Sequence, residues 1–440
     1  MGRITRRQTL LATGALAIAA STRARAAEPS LQALLEARLK GGGVALAAGR
    51  LAGGQAEFGG AAVSGARPDA DSVFEIGSIT KTFTALLLAD AVVRGEIKLD
   101  DPVEAALPDG LRLRDSQGQP LRWVDLATQR SGLPRLAANM APANPADPYA
   151  DYDWPALRLF LQGWRPKVAR DSRFEYSNLG FGLLGHALAL REDTDYATLL
   201  ARRVLQPLGL TGQVGFALPD LLPGHDGKGR PVPAWHFRSV TAGAGALHGT
   251  ARGLLRYADA ALGGYEHPLR EAFALCLQRR AATIAPTNPI GLAWLLAPLN
   301  DRTVFTHDGA TFGFASSLWL DPERRRASVV LANAQVAVDD LALRVLGDAS
   351  VRDVAAIAAT HEQLQPLEGV YALNPQFKLS VRADGTQLLA RATGQGEFEL
   401  FAKSPRRFFA KITPLEIQFD DDTKALTLFQ GGATLRFVRE

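Results

Sequence analysis

The chain is predicted to be a mixed α/β (α+β) protein, one sheet covered by helices beside a helical cluster, followed by a small separate β-domain. Three observations predict it. Short β-like runs gather near both ends of the first 360 residues, helical periodicity fills the interval between them, and beyond Gln365-Pro366 apolar and polar residues alternate. With 440 residues there is ample chain for such a core. The expected division is an export segment at 1–26, a main domain at 27–360 and a β-rich domain at 366–440.

Taken in order, the first 26 residues combine a basic start, an apolar run from Leu10 to Ala20 and a small-residue cleavage site at Ala24-Arg25-Ala26. That run is too short for a bilayer, which needs about 20 apolar residues, so an export signal is expected and a stable membrane span is not. Arg6-Arg7 followed by Leu10 and Leu11 suggests the twin-arginine route. The mature chain is then expected in the periplasm or outside the cell.

This segment also carries Arg3, Arg6, Arg7, Arg23 and Arg25 and no acid, so the formal charge of +4 becomes −1 without it. A nucleic-acid partner would need a basic face on the mature domain, and no such excess remains. The one cysteine, Cys276, excludes an internal disulfide and reads as a buried small hydrophobe.

Next, LQALLEARLK reads as a helix and VALAAGRLAGGQAEFGGAAV as two strands around a Gly-rich turn. Helices are expected after the Gly77 turn, over the pattern Phe83, Leu86, Leu87 and Ala91, and then over ALRLFLQGW, LGFGLLGHALALR, YATLLARRVL, and ARGLLRYADAAL with Thr250 as its N-cap. IGLAWLLAP, TVFTHDG, FASSLWLDP and ASVVLANA read as strands, and 339–359 as a helix. The last 75 or so residues read as a β-meander with Asp-Gly and Asp-Asp-Asp turns.

Three stretches could do chemistry. In FEIGSITKTFT, Ser78 precedes Lys81 by about one helical turn, so hydroxyl and amine can meet on one face. A serine at a helix N-terminus can also offer its backbone N–H to an acyl oxygen. Ser-x-x-Lys recurs by chance about once in a chain of this size, and a capping serine beside a solvated lysine is the bland alternative. In FEYSNLGFGLLGHAL, Tyr176 and Asn178 could present a phenol and an amide from one turn, or be a core tyrosine beside an asparagine cap. In TVFTHDGATFGF, His307 and Gly309 stand in a β-like run, where a glycine permits close backbone approach. His186, on an apolar helix, lacks a partner at metal spacing and reads as packed. There is no Gly-x-Ser-x-Gly elbow, which removes the main support for an α/β-hydrolase.

Together SITK, YSN and HDG, with RSGLP, AGAGALHGTARGL and LWLDPERRRASVVLANA around them, resemble the class C β-lactamases and their penicillin-recognising relatives over about residues 30 to 350. Among the branches the chain is most similar to the D-alanyl-D-alanine carboxypeptidase/endopeptidase type. The resemblance implies a β-lactamase/transpeptidase-like fold, with an antiparallel sheet flanked by helices and a helical subdomain. It implies a serine acyl hydrolase acting through an acyl-enzyme on β-lactams or D-Ala-D-Ala peptides of peptidoglycan, without metal or organic cofactor.

By the same resemblance Ser78 is the nucleophile, Lys81 its proton partner and Tyr176 the base or relay. Asn178 would bind the substrate amide and steady Lys81. His307 stands in for the lysine of the third motif, and the N–H groups of Ser78 and Ala310, the residue after Gly309, form the oxyanion hole. Two departures are visible. His307-Asp308 replaces a more cationic pair, which favours peptidase or esterase action over capture of a β-lactam carboxylate. Gln129-Arg130-Ser131 stands where the family often has His-Thr-Ser. A small-ester esterase or D-aminopeptidase is the alternative within the family, and a penicillin-acylated sensor or wall-binding protein the alternative outside it.

Overall fold

The computed structural model describes residues 29–39, 45–108, 110–283, 289–347, 357–374, 377–393, 397–410, 415–430 and 433–440, so the expected export segment lies outside the described residues. Eight antiparallel strands make the main sheet. They are β1 (Ala45–Ala52), β2 (Gln55–Ala62), β3 (Ala281–Ala282), β4 (Pro289–Ile290), β5 (Leu295–Leu299), β6 (Arg302–Ala310), β7 (Ala315–Asp321) and β8 (Arg326–Ala332), in the order β2-β1-β8-β7-β6-β5-β4-β3. The N-terminal hairpin joins the sheet beside its last strand, with Leu46 opposite Ala332 and Leu51 opposite Ala327.

Five helices frame the sheet and the helical cluster beside it, α1 (Leu31–Leu39), α2 (Thr80–Val93), α3 (Asn178–Arg191), α4 (Ala251–Ala261) and α5 (Asp339–Leu346), with α1 and α5 on one face of the sheet and α4 on the other. Leu46, Val304, Trp319 and Val330 of the sheet pack with Leu35 of α1 and Val345 of α5 in one apolar layer. On the other face Ala47, Leu318, Leu320 and Val329 pack with α2, α3 and α4. Strand β7 is buried throughout and β8 nearly so, which is why both read as apolar runs.

Helix α2 is buried from Thr80 to Ala91 on every side, as its all-round apolar sequence requires. Its threonines are satisfied locally or across the core: Thr82 donates to Ile79 O at 2.8 Å and Thr84 to Gly243 O at 2.8 Å. Phe83 stacks on Tyr257 at 4.0 Å between centroids. Thr250 caps α4 as expected, its hydroxyl accepting from Gly253 N.

Two expectations are corrected. The helix expected over 339–359 ends at Leu346, because Gly347 takes the left-handed conformation (φ 97°) that terminates helices; residues 357–359 are not helical and 348–356 lie outside the described residues. IGLAWLLAP divides into β4 and β5. Between them Gly291 packs so closely on the Cys276 carbonyl that a Cβ would stand 2.2 Å from its oxygen, so the ladder is interrupted there.

The C-terminal meander closes into a barrel of eight strands: β9 (Gly369–Asn374), β10 (Phe377–Asp384), β11 (Gln387–Ala392), β12 (Glu397–Ser404), β13 (Arg407–Ala410), β14 (Leu415–Phe419), β15 (Ala425–Gln430) and β16 (Ala433–Arg439). Closure is made by β9 against β16, with Tyr371 opposite Arg439. Inward residues such as Tyr371, Leu388, Phe408, Ile417 and Phe437 form a separate buried core. Side chains fill a barrel of this strand number.

Candidate active site

The site is built where the turn before α2 docks on the edge of β6. Gly77 has φ 48°, and a Cβ on it would lie 2.7 Å from Ala310 N. Gly309 is tighter still: a Cβ there would stand 2.1 Å from Ile76 O and 2.9 Å from Ser78 N. Two glycines therefore let the backbone of the Ser78 turn lie directly on the third-motif strand. Within the buried run from Val73 to Ala91, Ser78 alone is partly open to solvent.

Strand pairing decides where the Ala310 amide points. Strand β6 pairs with β5 only as far as Thr306, leaving one edge of residues 307–310 open. On the other edge, Thr311 N–H donates to Phe314 O, so the adjacent Ala310–Ala315 pair is of the non-hydrogen-bonded kind. The Ala310 N–H is consequently turned away from β7, toward the open edge and the Ser78 turn.

Lys81 reaches Ser78 from one helical turn on. Its Nζ lies 2.8 Å from Ser78 Oγ and 2.6 Å from the Ala244 carbonyl, and the side chain is completely buried. Burial, and next the charge of Arg135, hold its ammonium well below the usual lysine range, against the opposing pull of Asp308. Burial pushes the Tyr176 phenol above its usual range, against the opposing pull of Ser78. Lys81 Nζ lies 4.9 Å from the centroid of the same ring.

Asn178 opens α3, but the cap is Ser177, whose Oγ accepts from Gly180 N at 2.8 Å. Asn178 is thus freed from capping and donates through Nδ2 to Tyr149 OH at 2.8 Å, while its Oδ1 is buried without a partner among the described residues. The steadying of Lys81 expected of Asn178 is carried by the Ala244 carbonyl. His307 shares the inward face of β6 with Gly309 and is buried. Its Nδ1 lies 2.7 Å from Asp308 O, and burial pulls the imidazole down to about 4, so at neutral pH it carries no charge. Asp308 is exposed on the alternate face.

Sequence reasoning missed Ala244, Tyr149 and the function of the 129–135 loop. Gln129 (φ 59°) accepts from Ser177 N through Oε1 at 2.7 Å, Ser177 Oγ donates to Pro134 O at 2.7 Å, and Asn178 N donates to Arg135 O at 3.0 Å. The RSGLP stretch is a clasp that fixes Tyr176 and Asn178 relative to the core. Its glutamine was visible as a departure, but its contacts lie about 48 positions away. His186 is packed as expected, buried against Trp154 at 4.9 Å between rings and pulled down to about 4 by burial.

An α/β core that carries a partly open serine on a buried lysine, with a tyrosine ring against that amine, beside an open strand edge defines a serine hydrolase. Residues 31–351 match the family model described as Beta-lactamase, and the chain belongs to that family. A curated relative, the D-alanyl-D-alanine-carboxypeptidase/endopeptidase AmpH of Escherichia coli K12, is 34% identical over 157 residues, which span 35% of this chain and 40% of the relative. The structure of D-alanine carboxypeptidase AmpC from Burkholderia cenocepacia is similar with a TM-score of 0.61 and 25% identity, over 72% of this chain and 97% of that one. The octameric penicillin-binding protein homologue from Pyrococcus abyssi shares the fold at a TM-score of 0.65 and 20% identity, over 93% of this chain and 99% of that one. A match that long takes in the C-terminal barrel.

Proposed function

We propose that the protein is an exported serine acyl hydrolase that forms an acyl-enzyme on Ser78 with D-Ala-D-Ala peptides of peptidoglycan, β-lactams or both. One observation carries the reading: Ser78 Oγ lies 2.8 Å from the completely buried Lys81 amine, which itself lies 4.9 Å from the centre of the Tyr176 ring. The names of the relatives, a D-alanyl-D-alanine-carboxypeptidase/endopeptidase and a D-alanine carboxypeptidase, support the substrate class. Export rests on the reading of residues 1–26.

Burial favours the neutral form of both partners, an uncharged amine and a protonated phenol. That supports Lys81 as the first proton acceptor. Ser78 Oγ bonds to the carbonyl carbon, its proton passes to Nζ, and the oxyanion is received by the N–H groups of Ser78 and Ala310. As the C–N bond breaks, the leaving amine takes the Tyr176 proton, which the Lys81 ammonium replaces. Water then attacks the ester, giving a proton back through the same pair and releasing the acid and the Ser78 hydroxyl.

Intact-mass measurement on the full chain with benzylpenicillin tests this: a one-to-one adduct mapping to Ser78 is expected, and none at all would overturn it. Tyr176→Phe should slow acylation or deacylation by about 10²-fold or more, since it removes the proton that the leaving group takes; unchanged turnover would reduce Tyr176 to packing. The reaction needs the neutral amine, so kcat/KM should fall as pH drops through the Lys81 value, which burial sets well below that of an ordinary lysine. A rate still climbing toward pH 10, as an ordinary lysine would give, would mean that Lys81 rests charged and is not the neutral acceptor at physiological pH.

A further inference from the structure

Any substrate with a carboxylate beside its scissile bond needs a cation to meet it. The third motif offers none at neutral pH, because His307 is uncharged and Asp308 is an acid. Lys81 is completely buried and already bonded to Ser78 and Ala244. Another cation stands at the mouth. Arg135 is exposed, its Cζ lies 5.1 Å from the centroid of the Tyr176 ring, and it forms no ion pair with the described residues.

The backbone under this arginine is held firmly. Arg135 O accepts from both Asn178 N at 3.0 Å and Leu179 N at 3.2 Å, and the preceding Pro134 O accepts from Ser177 Oγ. The guanidinium is therefore tethered beside the catalytic phenol while its N–H edge has no hydrogen-bond partner among the described residues. Stacking against an aromatic ring leaves that edge free for a planar, bidentate carboxylate. The ring it covers is the one that lies 4.9 Å from Lys81 Nζ, which sets the guanidinium beside the reacting groups and not at a remote rim.

We propose that Arg135 is the specificity residue of this site, receiving the substrate carboxylate that flanks the scissile bond in place of a third-motif cation. The inference rests on the acyl-enzyme reading above and assigns its missing charge to a different loop. Lysine should serve only in part, because an ammonium cannot make the paired, coplanar contact.

The test compares wild type, Arg135→Ala and Arg135→Lys, as full chains, on a peptide ending in D-Ala-D-Ala and on the same peptide as its C-terminal carboxamide. Wild type should prefer the free carboxylate. In R135A that preference in kcat/KM should shrink by about 10- to 100-fold, mostly through KM, and R135K should restore part of it. Equal losses on acid and amide, or a wild type indifferent to the carboxylate, would overturn the assignment. Should neither peptide be cleaved, the same comparison is made on acylation rates with benzylpenicillin and its methyl ester. There a preserved ratio in R135A overturns the role of Arg135 alone, whereas no adduct in the wild type overturns the acyl-enzyme reading and this inference with it.

Discussion

Ser78→Ala should abolish covalent labelling by a fluorescent penicillin and lower kcat by about 10⁴-fold or more on any substrate the enzyme turns over. The expectation follows from the position of the hydroxyl. It is the partly open group in a buried run, with Nζ of Lys81 at 2.8 Å and that amine 4.9 Å from the centre of the Tyr176 ring. Lys81 and Tyr176 without Ser78 leave a proton relay with no nucleophile to serve. The alanine fits a half-exposed turn position, so unfolding free energy should stay within about 1 kcal/mol of wild type. Denaturant unfolding alongside the labelling assay separates lost chemistry from lost fold. Full labelling of S78A would place the nucleophile elsewhere.

Gly309→Ala should be nearly as damaging although it removes no reacting group. The new methyl would fall 2.1 Å from Ile76 O, 2.5 Å from Ser316 Oγ and 2.9 Å from Ser78 N. Two of the three are backbone atoms that cannot rotate aside, so the Ser78 turn must lift from β6. Lifting separates the two N–H groups meant for the oxyanion, a loss that costs about 10²- to 10³-fold in kcat. Overpacking of this kind also destabilises by about 1–3 kcal/mol. Turnover measured well below the unfolding midpoint should still show the fall in kcat; wild-type kcat there would mean that Gly309 does not set the hole.

Much of this was legible in the chain before folding. The helical spacing of Ser78 and Lys81 and the strand character of TVFTHDG are local properties, and local properties survive into the structure. The sequence pattern misled where a single glycine overrode periodicity, at Gly347 beyond α5 and at Gly291 between β4 and β5. It misled also at YSN, where Asn178 was the cap considered; the cap is Ser177, held by Pro134, and Asn178 is left to face Tyr149.

By itself, then, the sequence determined which side chains could react and that two of them would share a helical turn, because spacing along one turn is a matter of bond geometry. Only the tertiary structure decided their chemical state and company. Lys81 meets the Ala244 carbonyl across 163 residues, the Ala310 amide is aimed by its pairing with β7, and Arg135 comes over Tyr176 through the clasp of its loop on α3. Proton affinity depends on the removal of water and on charges brought close through space, and neither is encoded in spacing along the chain.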